Sequence, residues 1–273
     1  VVVCAGVLAS CRRRRDVDED DAPVADSTPA QTANVDDKAR VDLRVDLGGG
    51  ATMEFVLVPA GTFTMGAADG FPNEQPAHVV TIAKPFHLAR FEVTQEQWRA
   101  VMGANPSRRK GPKFPVDNVS WNDCREFLRK LSEKAPGAKF VLPSEAQWEY
   151  ACRAGGAGKW CFGDDESQLA RYASYLANCR SSPRAVGVAA PNAWGLFDMH
   201  GNVWEWCQDA WHESYVGAPT DGSAWENAGD ARRVRRGGSW YDSAWLARSS
   251  YRLGFSPDFR AENLGLRPAR VEE

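Results

Sequence analysis

From residue 157 onward, Gly, Pro, Asn and Asp interrupt the chain about every eight residues, which leaves no room for helices of ordinary length. A chain punctuated in this way folds only if bulky side chains fill the space that regular elements leave. Eleven tryptophans supply that bulk, beside 24 glycines and only four histidines, so the pattern predicts a loop-rich domain with few imidazoles for chemistry. The first half differs. Residues 53–58 and 62–65 read as short strands broken by the turn Pro59-Ala60-Gly61, and residues 78–82 and 86–91 give a second strand-like pair. Three helix starts follow: Thr94 with Gln97, Ser120 with Asp123, and Ser144 with Gln147 each place a capping side chain three residues before a polar partner. Gly103, Pro136-Gly137 and Gly155-Gly156 mark their ends. Residues 234–241 and 264–267 read as further short strands. The expected architecture is a single α+β domain spanning residues 51–273.

A length of 273 residues with 43% hydrophobic and 25% charged side chains suits one sizeable core and excludes a collagen-like or polytopic membrane chain. The net charge of -3 gives no overall attraction to nucleic acid. Residues 1–10, VVVCAGVLAS, are too short to span a bilayer as a helix but suit the apolar part of a secretory leader. Leu8-Ala9-Ser10-Cys11 resembles the lipobox of bacterial lipoproteins, with Cys11 as the lipidated residue. That resemblance implies a periplasmic or surface lipoprotein of the bacterial cell envelope. Residues 12–50 begin RRRR and DVDEDD and continue in small polar types, a composition expected to form a disordered tether. Setting aside Cys4 and Cys11, five cysteines remain at spacings that match no zinc pattern, and export permits one or two disulfides among them.

Six segments carry a specific resemblance: VLVPAGTFTMG at 56–66, FEVT at 91–94, PVDNVSW at 115–121, LPSEAQWEYA at 142–151, GLFDMHGNVWEW at 195–206 and RGGSW at 236–240. In this order they are similar to the formylglycine-generating enzyme, or sulfatase-modifying factor, family. The resemblance implies a loop-rich fold related to the C-type lectin-like fold, with structural Ca²⁺. Its calcium ligands would be the side chains of Asp198 and Glu205 with the carbonyls of Gly201 and Val203, hard oxygen donors around a glycine turn. A second family calcium site would use Asn178 and the carbonyl of Cys179, although the loop that supplies its other ligands is shortened before Pro191.

In the family's oxidases two cysteines after the Gly-Gly-Ser strand bind Cu(I), activate O2 and convert a sulfatase cysteine to formylglycine. Cu(I) needs soft thiolates. Here the first thiol position falls at Asp242, and no cysteine follows Cys207. No copper is therefore expected. Trp204, Ser239, Trp240, Asp242 and Arg248 would line the inherited cleft, which a peptide, a glycan or an envelope protein would occupy. An active oxidase and a structural subunit of an envelope complex are the alternatives. His78, His87, His200 and His212 form no clustered set, and Gly155-Gly156-Ala157-Gly158-Lys159 lacks the spacing of a phosphate loop. Arg232, Arg233, Arg235 and Arg236 suit either an anionic ligand beside a cleft or a solvated strand edge.

Overall fold

The computed structural model describes residues 40–179, 181–226 and 231–271. The leader, Cys11 and most of the expected tether lie outside the described residues. The folded part begins earlier than Ala51: β1 (Leu43–Gly48) pairs antiparallel with β2 (Ala51–Val58). Its Val45 and Leu47 are buried, an alternation hidden by the small polar composition upstream. Thus the tether expectation fails for residues 43–50.

Next come β3 (Gly61–Met65), β4 (His78–Ile82) and β5 (Phe86–Ala89), followed by α1 (Gln95–Met102) and α2 (Trp121–Lys134). After β6 (Lys139–Val141), α3 (Glu145–Arg153) is the last helix of more than one turn. All three capping boxes form as expected, with Thr94, Ser120 and Ser144 each accepting an N–H from the third helical residue. The short bridges β7 (Ala173–Ser174) and β8 (His200–Gly201) precede β9 (Trp204–Ala210), β10 (Arg233–Arg236), β11 (Arg252–Phe255), β12 (Leu264–Gly265) and β13 (Ala269–Val271).

Two sheets organise the domain. One has the order β1-β2-β5-β13-β6 and the other β11-β10-β9-β12. The first is covered on one face along β1 and on both faces further in: Met53 and Phe55 of β2 enter one apolar cluster, whereas Val56 and Val58 enter another. The second half is therefore less irregular than its punctuation suggests. β9 escapes an alternation search because nearly all of its residues are buried. Conversely, the strand expected over residues 234–241 stops at Arg236, where Gly237 and Gly238 take positive φ values of 99° and 71°.

The expected disulfides are absent among the described residues: Cys124, Cys152, Cys161, Cys179 and Cys207 are all free thiols. Cys124 and Cys179 sit in separate apolar clusters, and Cys152 and Cys207 share a third without bonding.

Charged side chains fill the space between the sheets and α3. Glu149 is fully buried and accepts hydrogen bonds from Arg153 Nε at 2.9 Å, from Gly66 N at 2.9 Å and from Arg236. Glu145 takes Arg252 Nε and Nη2, each at 2.7 Å, with Arg236 Nη1 at 3.1 Å. Removing one partner of such a network leaves a buried charge unpaired. Glu149→Gln should therefore lower stability by about 3–5 kcal/mol in urea unfolding; a loss within experimental error would show that the network is not needed.

Candidate functional site: a carboxylate-centred cluster

The turn after Gly238 places Ser239, Trp240 and Asp242 beside the start of β9. Asp242 is half-buried, and its Oδ2 accepts the Trp204 indole N–H at 2.8 Å and the Ser239 hydroxyl. Asn263 Nδ2 donates to Ser239 Oγ at 2.9 Å, so the hydroxyl is oriented toward the carboxylate. The Asp242 carbonyl accepts Leu176 N at 2.9 Å, which fixes the backbone of the turn. Beside this group, the Tyr251 ring lies 5.9 Å from that of Trp204. Burial raises the Tyr251 phenol pKa, with Glu74 and Asp242 adding to the effect. The arrangement presents an oriented acceptor surrounded by aromatic surface.

Trp204, Ser239 and Asp242 thus meet through hydrogen bonds. Trp240 flanks them, packed with Val203 and Cys179 and donating its backbone N–H to Asn202 O at 2.8 Å. Arg248 does not join the group. Its guanidinium grips the buried Glu74 at 2.7 and 2.9 Å, lies 3.9 Å from the Trp245 ring and lines a separate cavity of about 630 Å³. Glu74 is fully buried, and a charge there requires a close cationic partner, which holds Arg248 away from Asp242. The glycine loop before Lys159 borders the same cavity. It closes α3 through Ala154, at φ 46°, as its composition suggests.

The group around Asp242 consists of a carboxylate, a hydroxyl and an indole N–H, with no thiolate, and does not suit Cu(I). The Asp198 turn is different. Glu92, Asp198 and Glu205 lie close enough that each of the last two raises the pKa of Glu92. Burial is the main cause, and it places Glu92 well above its ordinary range and Asp198 at about 6. Both oxygens of Glu92 are taken, by Asn202 Nδ2 at 2.6 Å and Val203 N at 2.9 Å, and among the described residues no three acidic, histidine or cysteine side chains converge to hold a metal. Glu205 likewise gives both oxygens to Arg267, with contacts of 2.7 to 3.1 Å, and accepts Trp148 Nε1 at 2.7 Å. Asp198 Oδ2 accepts Gly187 N at 2.6 Å. Asp198 and the turn backbone thus fit the expected site better than Glu205 does.

The second expected site does not fit. Asn178 Oδ1 accepts Tyr175 N at 2.9 Å, its Nδ2 donates to Ala173 O at 2.9 Å, and its carbonyl takes the Arg184 guanidinium. Cys179 is buried, with its thiol directed to Leu176 O at 3.8 Å. A guanidinium stands where a metal would need oxygen ligands. His200 is likewise structural: it bonds Ala247 O through Nδ1 at 2.8 Å and accepts Cys161 N at Nε2. Its burial lowers its pKa to about 4.

Sequence reasoning missed Asn263, Tyr251 and the particular importance of Arg235. The basic stretch at 232–236 was visible, but not that neighbouring arginines face opposite sides of β10. Arg236 enters the buried network, while Arg235 lies 4.5 Å from the Trp204 ring and 4.1 Å from the Phe255 ring.

Together, the folded core and the Asp242 cluster define an α+β scaffold of the sulfatase-modifying type. Residues 48–271 match the sulfatase-modifying factor enzyme 1-like domain, and the chain belongs to that family. It is 30% identical to the formylglycine-generating enzyme of Streptomyces coelicolor, over 78% of this chain and 88% of that protein. It is also 28% identical to the bovine inactive C-alpha-formylglycine-generating enzyme 2, over 82% of this chain and 90% of the relative. Identity to the chaperone protein LppX of Paenibacillus barcinonensis is 28%, over 80% of this chain and 89% of LppX. Among solved structures, PvdO from Pseudomonas aeruginosa superposes with a TM-score of 0.76 at 34% identity, covering 85% of this chain and 98% of PvdO.

Burial also raises the pKa values of Asp117 and Asp209 to about 7. A raised carboxylate contributes stability that is complete below the ordinary carboxylate pKa and lost as pH rises through the folded value. Asp198 acts in the same direction. His200 acts weakly in the opposite direction near pH 6.5 and adds no slope above about pH 7.5, where it is neutral in both states. In EDTA, the melting temperature should fall between about pH 6.5 and 8, and Asp117→Asn should flatten the fall. Melting curves that rise over this window would contradict the assignment.

Proposed function

We propose that this chain is a non-oxidising member of the family that holds an extended polypeptide in the Asp242 cleft. The observation that carries this reading is Asp242 itself, locked by Trp204 and Ser239 at the position where the resemblance places a copper thiolate. A carboxylate fixed in this way can accept hydrogen bonds from a ligand, but it is a poor substitute for a thiolate toward Cu(I). The names of two similar proteins, an inactive formylglycine-generating enzyme and a chaperone, agree with binding in the absence of oxidation.

Calcium at the Asp198 turn would stabilise the domain. In that case calcium, unlike EDTA, raises the alkaline end of the melting curve in the wild type and not in Asp198→Asn. Equal curves in both media would remove calcium from the account. A lipid on Cys11 would hold the domain at the bacterial envelope, and Cys11→Ser should move the protein from the membrane to the soluble fraction. Retention in the membrane would contradict that anchor.

Incubation with a Cys-x-Pro-x-Arg peptide under O2, with a copper supply, tests the chemistry. The peptide thiol is expected to remain intact by mass spectrometry. Conversion to the aldehyde at a rate that depends on the protein would establish an oxidase instead.

A further inference from the structure

Arg235 departs from the pattern of the other buried arginines. It is 8% exposed, yet among the described residues its guanidinium makes no ion pair or hydrogen bond, and its Nε is buried without a partner. Arg236, Arg252 and Arg267, which are fully buried, each hold a glutamate. A buried guanidinium without an anion is costly: here Nε has lost its water and found no partner, while the two terminal nitrogens, also without a hydrogen bond among the described residues, still reach solvent. What keeps Arg235 in place is aromatic: the rings of Trp204 and Phe255 lie on either hand at 4.5 and 4.1 Å. Asp242 is the carboxylate nearest in effect, opposing the fall in the Arg235 pKa that burial causes. Its Oδ2 is committed to Trp204 and Ser239, and it forms no ion pair with Arg235.

The environment extends along the same face. Arg233 lies two residues earlier on β10, so its side chain points to the same side of the sheet. Its guanidinium is 4.2 Å from the Trp121 ring, and its one side-chain hydrogen bond among the described residues goes to the carbonyl of Gln208 at 3.2 Å. Arg125, exposed on α2, covers Trp121 at 5.0 Å. Neither has a carboxylate partner among the described residues. Three guanidiniums are therefore held against aromatic rings, two at Trp121 and one at the Trp204 ring that donates to Asp242, and each retains donors for an oxyanion.

We infer that the cleft selects an acidic polypeptide segment, with one carboxylate of the ligand received by Arg235 and further negative charge drawn along Arg233 and Arg125. The inference rests on the reading of the cleft as a polypeptide site and adds its specificity. A planar guanidinium pairs with a carboxylate through two parallel hydrogen bonds, and the flanking rings exclude water from that pair. The outer arginines strengthen encounter and make binding sensitive to salt.

A positional-scanning octapeptide library, presented to the full chain and read by mass spectrometry of the bound fraction, tests this. The expected result is enrichment of Asp and Glu over Asn and Gln by about tenfold at one position, lost in Arg235→Met, whose aliphatic chain still fills the space between the rings. Arg125→Ser, on the exposed face of α2, keeps the test readable should the buried substitution unfold. It should weaken the acidic preference by about twofold and reduce its dependence on salt. Peptides bound without acidic enrichment, or with enrichment unchanged in Arg235→Met and Arg125→Ser, would overturn the inference and leave the polypeptide reading standing. No bound peptide of any composition would overturn that reading as well. Capture of a heparin tetrasaccharide by wild type and not by Arg235→Met, with no acidic peptide retained, would assign the arginines to a sulfated glycan and overturn the polypeptide partner.

Discussion

Arg236 is the hinge of the architecture. Its guanidinium reaches Glu145 and Glu149 of α3 and also donates to the carbonyls of Ser249 and Ser250, so one side chain joins a helix, a strand and the loop before β11. In a fold with so few long elements, apolar contact alone would leave the loops free to slide over one another. Directional, charge-assisted hydrogen bonds fix their register. Arg267 plays a similar part around Glu205, reaching Ala89 O and Phe197 O as well and bringing three distant segments together. Such pairs suffer a large desolvation penalty. Their value here lies in geometry, because each guanidinium satisfies several buried oxygens at once.

This constraint changes how the family motifs read. LPSEAQWEYA and RGGSW supply Glu145, Glu149 and Arg236, whose ion pairs hold the two segments together. Trp148 of the same motif donates to Glu205, which ties the helix to GNVWEW. The motifs mark the scaffold. Chemistry is decided by the few charged positions that the scaffold leaves without an ion pair among the described residues, and Asp242 and Arg235 are such positions.

Much of the fold was legible in the sequence because the first half obeys local rules. Thr94, Ser120 and Ser144 announce helices by capping chemistry, and Pro59-Ala60-Gly61 announces the turn between β2 and β3. The second half was less readable because its order is set by long-range contacts. β9 has no alternation to detect, and β1 was concealed by the polar composition before it. At the site, Trp204, Ser239 and Asp242 could be placed from the motifs, whereas Arg248 could not, because its buried partner Glu74 is far away in the chain. The opposite fates of Arg235 and Arg236 depend on the two sides of one strand, which a run of four basic residues does not disclose.

We propose that Asp242, a fixed carboxylate, stands where the family's oxidases carry a copper thiolate. Anaerobic Cu(I) titration of the purified full chain against a chromophoric chelator tests it most directly. The account predicts that the chelator keeps the metal and that Asp242→Asn leaves the titration unchanged. Tight uptake of one equivalent by the wild type, lost in Asp242→Asn, would contradict it.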